Sequence, residues 1–323
     1  MSTETSVKPY QQLRQATLDR DRGLREKVMS LGEAAKLVNS GEHVAIGGCT
    51  LSRTPFAMLW ALIRARKTDL TISRSITSTE GDLLLASGLS KHVITSWFSQ
   101  GIVWGISKVM RHYTENKLAR FEEWSHMSIG LRYRAGAMGI PFMPSRSMVG
   151  SDVGRNVGDQ LKTMTCPFTG EQVTLLPALN PDVALIHVQR CDPYGNAQLD
   201  GLQFMDIDMA MAANRVILTT ERIVSNEQIR RTPDATRIPF FTVEAVVEAP
   251  FGCAPHECYG LYEPFFSHLD QYAERIGKET VKGPQQYLEE YYYGAKSWPD
   301  YLGKIGMDAV LDASRRGRSV HND

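Results

Sequence analysis

The chain has 323 residues, of which 42% are hydrophobic and 22% are charged, and these proportions are typical of a soluble globular protein. Basic and acidic residues number 36 each, so no net charge draws the protein towards nucleic acid or a membrane surface. The longest apolar runs are too short to span a bilayer, and the first residues lack the apolar segment of a secretory signal. We therefore expect a soluble, cytoplasmic protein with one large α/β domain or two smaller ones.

The cysteines predict neither a disulfide framework nor a metal site. There are five of them, an odd number, and no two form a Cys-x-x-Cys pair. Cys253 and Cys258 are separated by four residues, but no second histidine or cysteine pair stands elsewhere in the sequence to complete a zinc site. The expectation from spacing is therefore that the protein holds no metal.

Three regions differ in composition. Residues 1–27 are polar and predict an extension outside the core fold, helical where it docks. Ordered structure is predicted to begin at Ser30 and Glu33, which form the capping box of a helix, and an α/β core follows from residue 28 to residue 263. Residues 264–323 are rich in aromatic side chains and are expected to form helices that pack on this core.

Within the core, short apolar runs alternate with amphipathic segments. Continuous β-branched runs between helices are typical of a mainly parallel sheet covered by helices, and we predict this fold class. Residues 144–176 are richer in Gly, Ser and Thr and predict loops with a hairpin. The predicted strands are 44–46, 70–73, 92–97, 183–188, 216–220 and 243–248, and the predicted helices include 55–66 (with Thr54 as N-cap), 82–86, 106–116, 127–138 and 206–213.

The loop after the first predicted strand contains the strongest local candidate for a binding site. In open α/β sheets, ligands bind at the carboxyl ends of the strands. Gly47 and Gly48 stand at such an end, where glycine lets the backbone approach a ligand and the next helix N-terminus favours negative charge. Arg53 in the same loop can hold a substrate carboxylate through a bidentate pair, although a surface salt bridge explains it equally well. The loop is neither a Walker A nor a Gly-x-Gly-x-x-Gly sequence, so an ordinary tight turn remains an equal alternative.

The wider context of this loop resembles a known family. Residues 40–55 read Ser-Gly-Glu-His-Val-Ala-Ile-Gly-Gly-Cys-x3-Arg-x-Pro and resemble the signature of class I CoA-transferase α subunits. Cys49 replaces the usual Phe of that signature, and Arg53 replaces the usual Gly, as in the glutaconate branch. Further stretches resemble that branch in order and spacing: 139–144 (Gly-Ile-Pro-Phe-Met-Pro), 166–168 (Cys-Pro-Phe), 181–187 (Pro-Asp-Val-Ala-Leu-Ile-His) and 258–262 (Cys-Tyr-Gly-Leu-Tyr).

The resemblance implies a fold, a reaction and a partner. Family transferases move CoA between carboxylic acids through a glutamate that attacks the thioester, and in two-subunit members a Ser-Glu-Asn-Gly motif of the β subunit supplies it. This sequence has no such motif. The nearest string contains Glu80, which is more simply a polar residue at a helix N-terminus. The resemblance therefore implies a β-type partner in an αβ or α2β2 assembly, with coenzyme A entering as part of the substrate and no permanently bound cofactor.

Other residues favour different chemistry on the same scaffold. Arg146, with Ser151 in the loop behind it, is a candidate to line the substrate cleft. The sequence around Arg146 resembles family members that hydrolyse ring-opened steroid CoA thioesters more than it resembles glutaconate transferases. His126 precedes an amphipathic helix and is a candidate general acid–base group. The simpler interpretation is a histidine at a helix start whose nitrogens are hydrogen-bonded by neighbouring residues. His187 lies inside an apolar strand and is predicted to be a core histidine. Acyl-CoA hydrolysis, decarboxylation and a purely structural role therefore remain alternatives.

Overall fold

The computed structural model describes residues 7–101 and 103–319. The strands are β1 (His43–Ile46), β2 (Leu70–Ser73), β3 (Ile76–Thr77), β4 (Ser90–Thr95), β5 (Trp97–Phe98), β6 (Arg120–Glu123), β7 (Phe142–Ser145), β8 (Lys162–Thr165), β9 (Gln172–Pro177), β10 (Val183–Val188), β11 (Arg190–Cys191), β12 (Ala197–Gln198), β13 (Arg215–Thr220), β14 (Thr236–Ile238) and β15 (Val243–Glu248). The helices are α1 (Tyr10–Asp19), α2 (Leu31–Lys36), α3 (Phe56–Arg64), α4 (Thr79–Ala86), α5 (Lys108–Glu115), α6 (His126–Met138), α7 (Asp152–Val157), α8 (Asp206–Ala212), α9 (Asn226–Arg231), α10 (Phe266–Lys278), α11 (Lys282–Tyr287), α12 (Trp298–Ile305) and α13 (Met307–Ser319).

A parallel sheet of seven strands forms the centre of the molecule, with the order β15-β13-β10-β1-β2-β4-β6. All residues of β1, β2 and β10 are buried, since helices cover both faces of the sheet. The predicted fold class, a mainly parallel sheet covered by helices, is confirmed. The winding direction changes between β1 and β10, because β2, β4 and β6 lie on one side of β1 and the later strands on the other.

Two sequence signals near the start of the core have different outcomes. The capping box is confirmed: the Ser30 hydroxyl accepts from the Glu33 amide, and the Glu33 carboxylate accepts from the Ser30 amide at 2.9 Å. Thr54, in contrast, does not cap α3. The N-cap position belongs to Pro55 and has no side-chain hydrogen bond. The Thr54 hydroxyl is used elsewhere, in contacts described with the site below.

Other differences from the predicted elements have simple causes. Strand β6, which was not predicted, has the sequence Arg-Phe-Glu-Glu and lies at the sheet edge, where polar side chains are usual and no apolar run is needed. The hairpin expected within residues 144–176 is present as β8 and β9. It belongs to a separate three-stranded antiparallel sheet of order β7-β9-β8.

The two faces of the sheet are covered differently. Helices α2 and α3 share one large hydrophobic cluster with the aromatic segment after residue 264, where α11 continues into a π-helical turn, Leu288–Tyr293. Helices α6 and α8 pack against each other and cover the opposite face. Helix α1 has no buried residue. The polar segment around it contacts this second face through Lys8 with Asp182 at 3.1 Å and Arg20 with the Ala213 carbonyl at 2.8 Å. Across the described residues, no helix has the length and apolar character needed to cross a membrane.

Candidate active site

The candidate site lies at the carboxyl ends of β1, β2 and β10, where the sheet changes its winding direction. Loops that leave neighbouring strands towards opposite faces open a crevice at such a point, and ligands of open α/β sheets bind there. Gly47 and Gly48 follow β1 directly. The residues between Gly47 and Pro55, called the glycine loop below, therefore stand at the position that the topology favours.

The glycine loop is held by contacts within the chain. The Gly47 amide donates to the Leu185 carbonyl at 2.8 Å, and the Gly48 amide donates to Asp206 Oδ1 at 2.7 Å. Gly48 has a φ of +72°, and a Cβ there would collide with the carbonyl oxygen of Ser52. Glycine is needed at position 48 for a close approach of the loop to itself. In this arrangement both glycine amides already have acceptors.

Arg53 connects the glycine loop to helix α8. Its side chain is fully buried, and Nη2 lies 2.9 Å from Asp206 Oδ2 and donates to the Leu202 carbonyl at 2.7 Å. The guanidinium also lies over the ring of Phe204, 5.3 Å from its centre. Two further donors, Nε and Nη1, have no hydrogen-bond partner. Burial raises the pKa of Asp206, and Arg53 opposes that rise. Arg53 thus braces the loop and does not face solvent.

A second buried ion pair, Arg74 with Glu80, lies beside the first. Arg74 follows β2, and its Nη2 donates to Thr54 Oγ1 at 2.8 Å; that hydroxyl also contacts His256 Nδ1 at 2.8 Å. Glu80 stands in the first turn of α4, where Oε1 also accepts from the Ser78 amide at 2.8 Å. Burial, with Arg74 adding to it, lowers the pKa of His256 well below its usual value. Glu80 Oε2 and His256 Nε2 have no hydrogen-bond partner.

Three members of this group, Arg74, Asp206 and His256, were missed from the sequence. Arg74 directly follows a buried strand, and a charged residue at that place was a usable signal. Asp206 was recognised only as the start of a helix, because its partner Arg53 is remote in sequence. His256 lies in the segment after the last predicted strand and was not assigned to the site. Nothing local indicates that its ring reaches Thr54.

His126 lies at the same edge of the sheet but on the surface. It is the first residue of α6, and its Nδ1 is 3.3 Å from Ser96 Oγ. Ser96 in turn donates to the Ser75 carbonyl, and Ser75 Oγ lies 3.9 Å from Cys49 Sγ in the glycine loop. Burial raises the pKa of Cys49. Ser96 and Ser75 therefore lie between the exposed imidazole and the glycine loop.

Arg146 and Ser151 lie apart from this cluster, in the segment that follows β7. The Arg146 side chain is 72% exposed and pairs with Glu171 at 2.7 Å. Ser151 caps α7 with its hydroxyl. A contact of 2.6 Å between Ser125 and Ser147 joins this segment to the start of α6. Of the residues predicted for the site, the structure brings Gly47, Gly48, Arg53 and Glu80 together, places His126 at the edge, and leaves Arg146 and Ser151 farther out.

The chain is similar to proteins of known family. Residues 28–249 match the family model described as coenzyme A transferase. The chain is 34% identical over 305 residues to the A-type subunit of glutaconate CoA-transferase from Acidaminococcus fermentans, covering 88% of this chain and 94% of that protein. It is 31% identical over 292 residues to the cholesterol ring-cleaving hydrolase IpdA subunit of Rhodococcus jostii, covering 87% of this chain and 96% of that protein.

Two further matches concern length and fold. An uncharacterized protein of Archaeoglobus fulgidus is 35% identical over 300 residues, which are 92% of this chain but only 66% of that longer protein. The crystal structure of glutaconate coenzyme A-transferase from Acidaminococcus fermentans superposes with a TM-score of 0.84 at 34% identity, covering 89% of this chain and 95% of the matched chain. With the parallel sheet, the glycine loop at its switch point and these matches, the chain belongs to the coenzyme A transferase family.

Proposed function

We propose that this chain is the A-type subunit of a heteromeric enzyme that moves CoA between carboxylic acids of the glutaconate type, with the attacking glutamate supplied by a β-type partner subunit. The observation that carries the proposal is the match to the A-type subunit of glutaconate CoA-transferase over nearly the whole of both chains. That relative's name designates one of several subunits and so implies a second one. The five cysteines are all free, which suits a reducing compartment, and we propose a cytoplasmic location.

The geometry of the crevice supports a nucleophile from outside the chain. A carboxylate that attacks a thioester must be able to reach it, and Glu80 is fully buried and paired with Arg74. Asp206 is likewise fully buried and paired with Arg53. Each carboxylate contacts an arginine and accepts a hydrogen bond from one backbone amide, that of Ser78 for Glu80 and that of Gly48 for Asp206, so both are engaged within the chain. We therefore assign both carboxylates to holding the crevice in shape.

The reaction we propose has four displacement steps, two with the first acid and two with the second. The partner's glutamate attacks the acyl-CoA carbonyl, CoA leaves as thiolate, and an acyl-glutamyl anhydride remains. The thiolate then attacks the glutamyl carbonyl of the anhydride, which releases the first acid and leaves a glutamyl-CoA thioester. The carboxylate of the second acid repeats these steps in reverse, so that CoA leaves on the new acid and the glutamate is regenerated. Such covalent catalysis divides one difficult exchange into easier steps.

Trapping the intermediate tests this assignment. The purified complex is incubated with acyl-CoA and then treated with borohydride or hydroxylamine, and both chains are mapped by peptide mass spectrometry. We expect inactivation only after acyl-CoA has been added, with the modified glutamate on the partner. The isolated chain should show no transfer activity. Modification of Glu80, or transfer by the purified chain alone, would reassign the nucleophile to this chain.

Hydrolysis or decarboxylation of an acyl-CoA is the second candidate, since the similar protein of Rhodococcus jostii is named a ring-cleaving hydrolase. Under this alternative no CoA adduct forms, and Arg146→Ala or His126→Ala lowers kcat far more than the near-isosteric Glu80→Gln does. Under transfer, we expect Arg146→Ala to raise KM for the acid more than it lowers kcat, because Arg146 only positions the substrate. Arg155, 65% exposed and paired with Asp152, is the matched control, and Arg155→Ala should change neither constant.

A further inference from the structure

Four side chains with metal-binding groups meet at the carboxyl ends of β10 and β13, next to the crevice. They are His187 in β10, Glu221 directly after β13, and Cys253 and Cys258 in the segment that follows β15. One ligand atom from each lies within 4.8 Å of the others. His187 and both cysteines are fully buried, and the Glu221 side chain is 9% exposed. None of the four has a part in the proposed transfer reaction.

We propose that His187, Glu221, Cys253 and Cys258 bind one zinc ion. Two thiolates, an imidazole and a carboxylate are a ligand set suited to zinc, whereas magnesium and calcium prefer oxygen ligands alone. Zinc bonds of about 2.0 to 2.3 Å in a tetrahedron place the ligand atoms roughly 3.3 to 3.8 Å apart. The observed limit of 4.8 Å is compatible with this geometry after small side-chain movements. Four protein ligands leave no open position, so the site is structural.

The imidazole is already oriented for such a role. His187 Nδ1 lies 2.8 Å from Thr219 Oγ1, and Nε2 lies 2.8 Å from Glu221 Oε1. A histidine that ligates a metal through one nitrogen usually has its other nitrogen hydrogen-bonded, which fixes the tautomer and the ring direction. Thr219 supplies this outer contact at Nδ1. Nε2 is therefore the nitrogen left free of an outer contact, and it already lies against the Glu221 carboxylate.

The carboxylate is anchored in the same manner. Glu221 Oε2 accepts from the Phe251 amide at 2.7 Å, and Oε1 accepts from the Gly252 amide at 3.1 Å. The Tyr262 hydroxyl donates to Glu221 Oε1 at 2.5 Å and accepts from the Cys253 amide at 3.0 Å. Outer contacts of this kind hold ligands in place around a metal. Here they hold Glu221 and the backbone of one cysteine ligand through a single tyrosine.

The backbone around the cluster also approaches it closely. A Cβ on Gly252 would lie 2.6 Å from His187 Cε1 and 2.9 Å from Nδ1, closer than real contacts allow. Glycine at 252 therefore lets the chain pass against the imidazole and carry Cys253 to its place. The same segment supports the glycine loop, because the Glu257 carbonyl accepts from the Arg53 amide at 2.9 Å. A zinc ion here would therefore stabilise the segment that contacts the glycine loop.

Zinc analysis of the intact chain tests the proposal. The 323-residue chain is expressed with zinc in the medium, passed over a gel-filtration column in a buffer with a weak chelator, and analysed by plasma mass spectrometry. We expect about one zinc ion per chain, as a closed four-ligand site predicts. Replacement by cobalt should give a thiolate-to-cobalt charge-transfer band and the ligand-field bands of a tetrahedral centre. Both readouts are independent of transferase activity.

Cysteine variants assign the metal to this cluster. The double variant Cys253→Ser/Cys258→Ser should lose the zinc and the cobalt charge-transfer band. The matched control Cys166→Ser/Cys191→Ser, which changes two cysteines outside the cluster, should keep both. If the first variant does not fold, the cobalt spectrum of the wild-type chain still decides whether thiolates ligate the metal. A wild-type chain with far less than one zinc per molecule, zinc that survives the first variant, or a Cys253–Cys258 disulfide in protein purified without oxygen would each overturn the proposal.

Discussion

Two buried regions of the molecule differ in the side chains that form them: the crevice at the carboxyl edge of the sheet is charged, and the second region is aromatic. This second region, called the aromatic layer below, is formed by α10, α11, the π-helical turn and α12. The crevice contains two ion pairs, Arg53–Asp206 and Arg74–Glu80, with no side-chain exposure. The aromatic layer contains stacked rings, with centres 4.6 Å apart for Tyr287 and Tyr291. Among the described residues, none of its buried side-chain polar atoms lacks a partner, and the Tyr287 hydroxyl lies 2.8 Å from His268.

The two regions therefore differ in what they contribute to stability. A buried polar atom without a hydrogen bond costs roughly 1 to 3 kcal/mol, so proteins keep few of them. Several lie together in the crevice: Arg53 Nε and Nη1, Arg74 Nε, Glu80 Oε2 and His256 Nε2. Ring pairs such as those of the aromatic layer add about 0.5 to 1.5 kcal/mol beyond the burial of their area. The aromatic layer therefore stabilises a fold that the crevice weakens.

Substitution of Gly48 should disturb the crevice most severely. A side chain at this position would meet the carbonyl of Ser52 and the backbone of Arg53, so the glycine loop cannot keep its shape. We expect Gly48→Val to abolish activity of the assembled enzyme or to prevent assembly, measured by turnover and gel filtration. The control is Gly88→Val: Gly88 has a similar φ, +74°, but open space around it, so only strain of about 1 to 2 kcal/mol is expected. Normal assembly and turnover in Gly48→Val would show that the loop is an ordinary turn.

A more moderate loss is expected when one ion pair of the crevice is broken. Arg74→Met leaves the buried carboxylate of Glu80 without its counter-charge, which should lower the free energy of unfolding by about 3 to 5 kcal/mol. The double variant Arg74→Met/Glu80→Gln removes the unpaired charge as well, and we expect it to recover more than half of that loss. Urea unfolding of the three proteins provides the measurement. A single variant as stable as wild type would mean that the pair contributes little to the fold.

The smallest effect is expected in the aromatic layer, where the protonation of one histidine makes the free energy of unfolding depend on pH. Burial, assisted by Arg275, lowers the pKa of His268 from 6.5 to about 4, while Glu290 opposes the shift. Below pH 6.5 the unfolded chain gains a proton at this histidine that the folded chain does not accept until about pH 4, so stability is lost as the pH falls. This histidine should account for about 1 kcal/mol of the free energy of unfolding lost between pH about 6.5 and about 5.5.

The variant His268→Gln isolates this contribution. Other buried histidines, among them His43 and His256, have lowered pKa values and titrate in the same direction. Only the difference between the wild-type and variant pH profiles, taken from urea unfolding, therefore belongs to His268. Parallel profiles would mean that the imidazole is protonated equally in the folded and unfolded chains.

Much of the fold could be predicted because its signals are local. The Ser30–Glu33 capping box involves residues three apart, and the apolar runs of β1, β2 and β10 are continuous because both of their faces are buried. Strand β6 escaped prediction since an edge strand has no such run. Thr54 was predicted to be a helix N-cap because a threonine directly before a proline is a common pattern at a helix start. Its hydroxyl contacts Arg74 and His256 instead.

Short motifs indicated the resemblance to the family, and hydrophobic periodicity predicted the parallel sheet with the glycine loop after its first strand. The contacts of the side chains in the site, however, could be known only from the folded chain. The partner of Arg53 could not be named from the sequence, since Asp206, 2.9 Å away, is remote along the chain. Cys253 and Cys258 lacked a partner pair by spacing. The pairing of β10 with β13 brings His187 beside Glu221, and the pairing of β13 with β15 brings in the segment that contains both cysteines. Strand pairing sets such contacts between residues remote in sequence, and no local pattern records them.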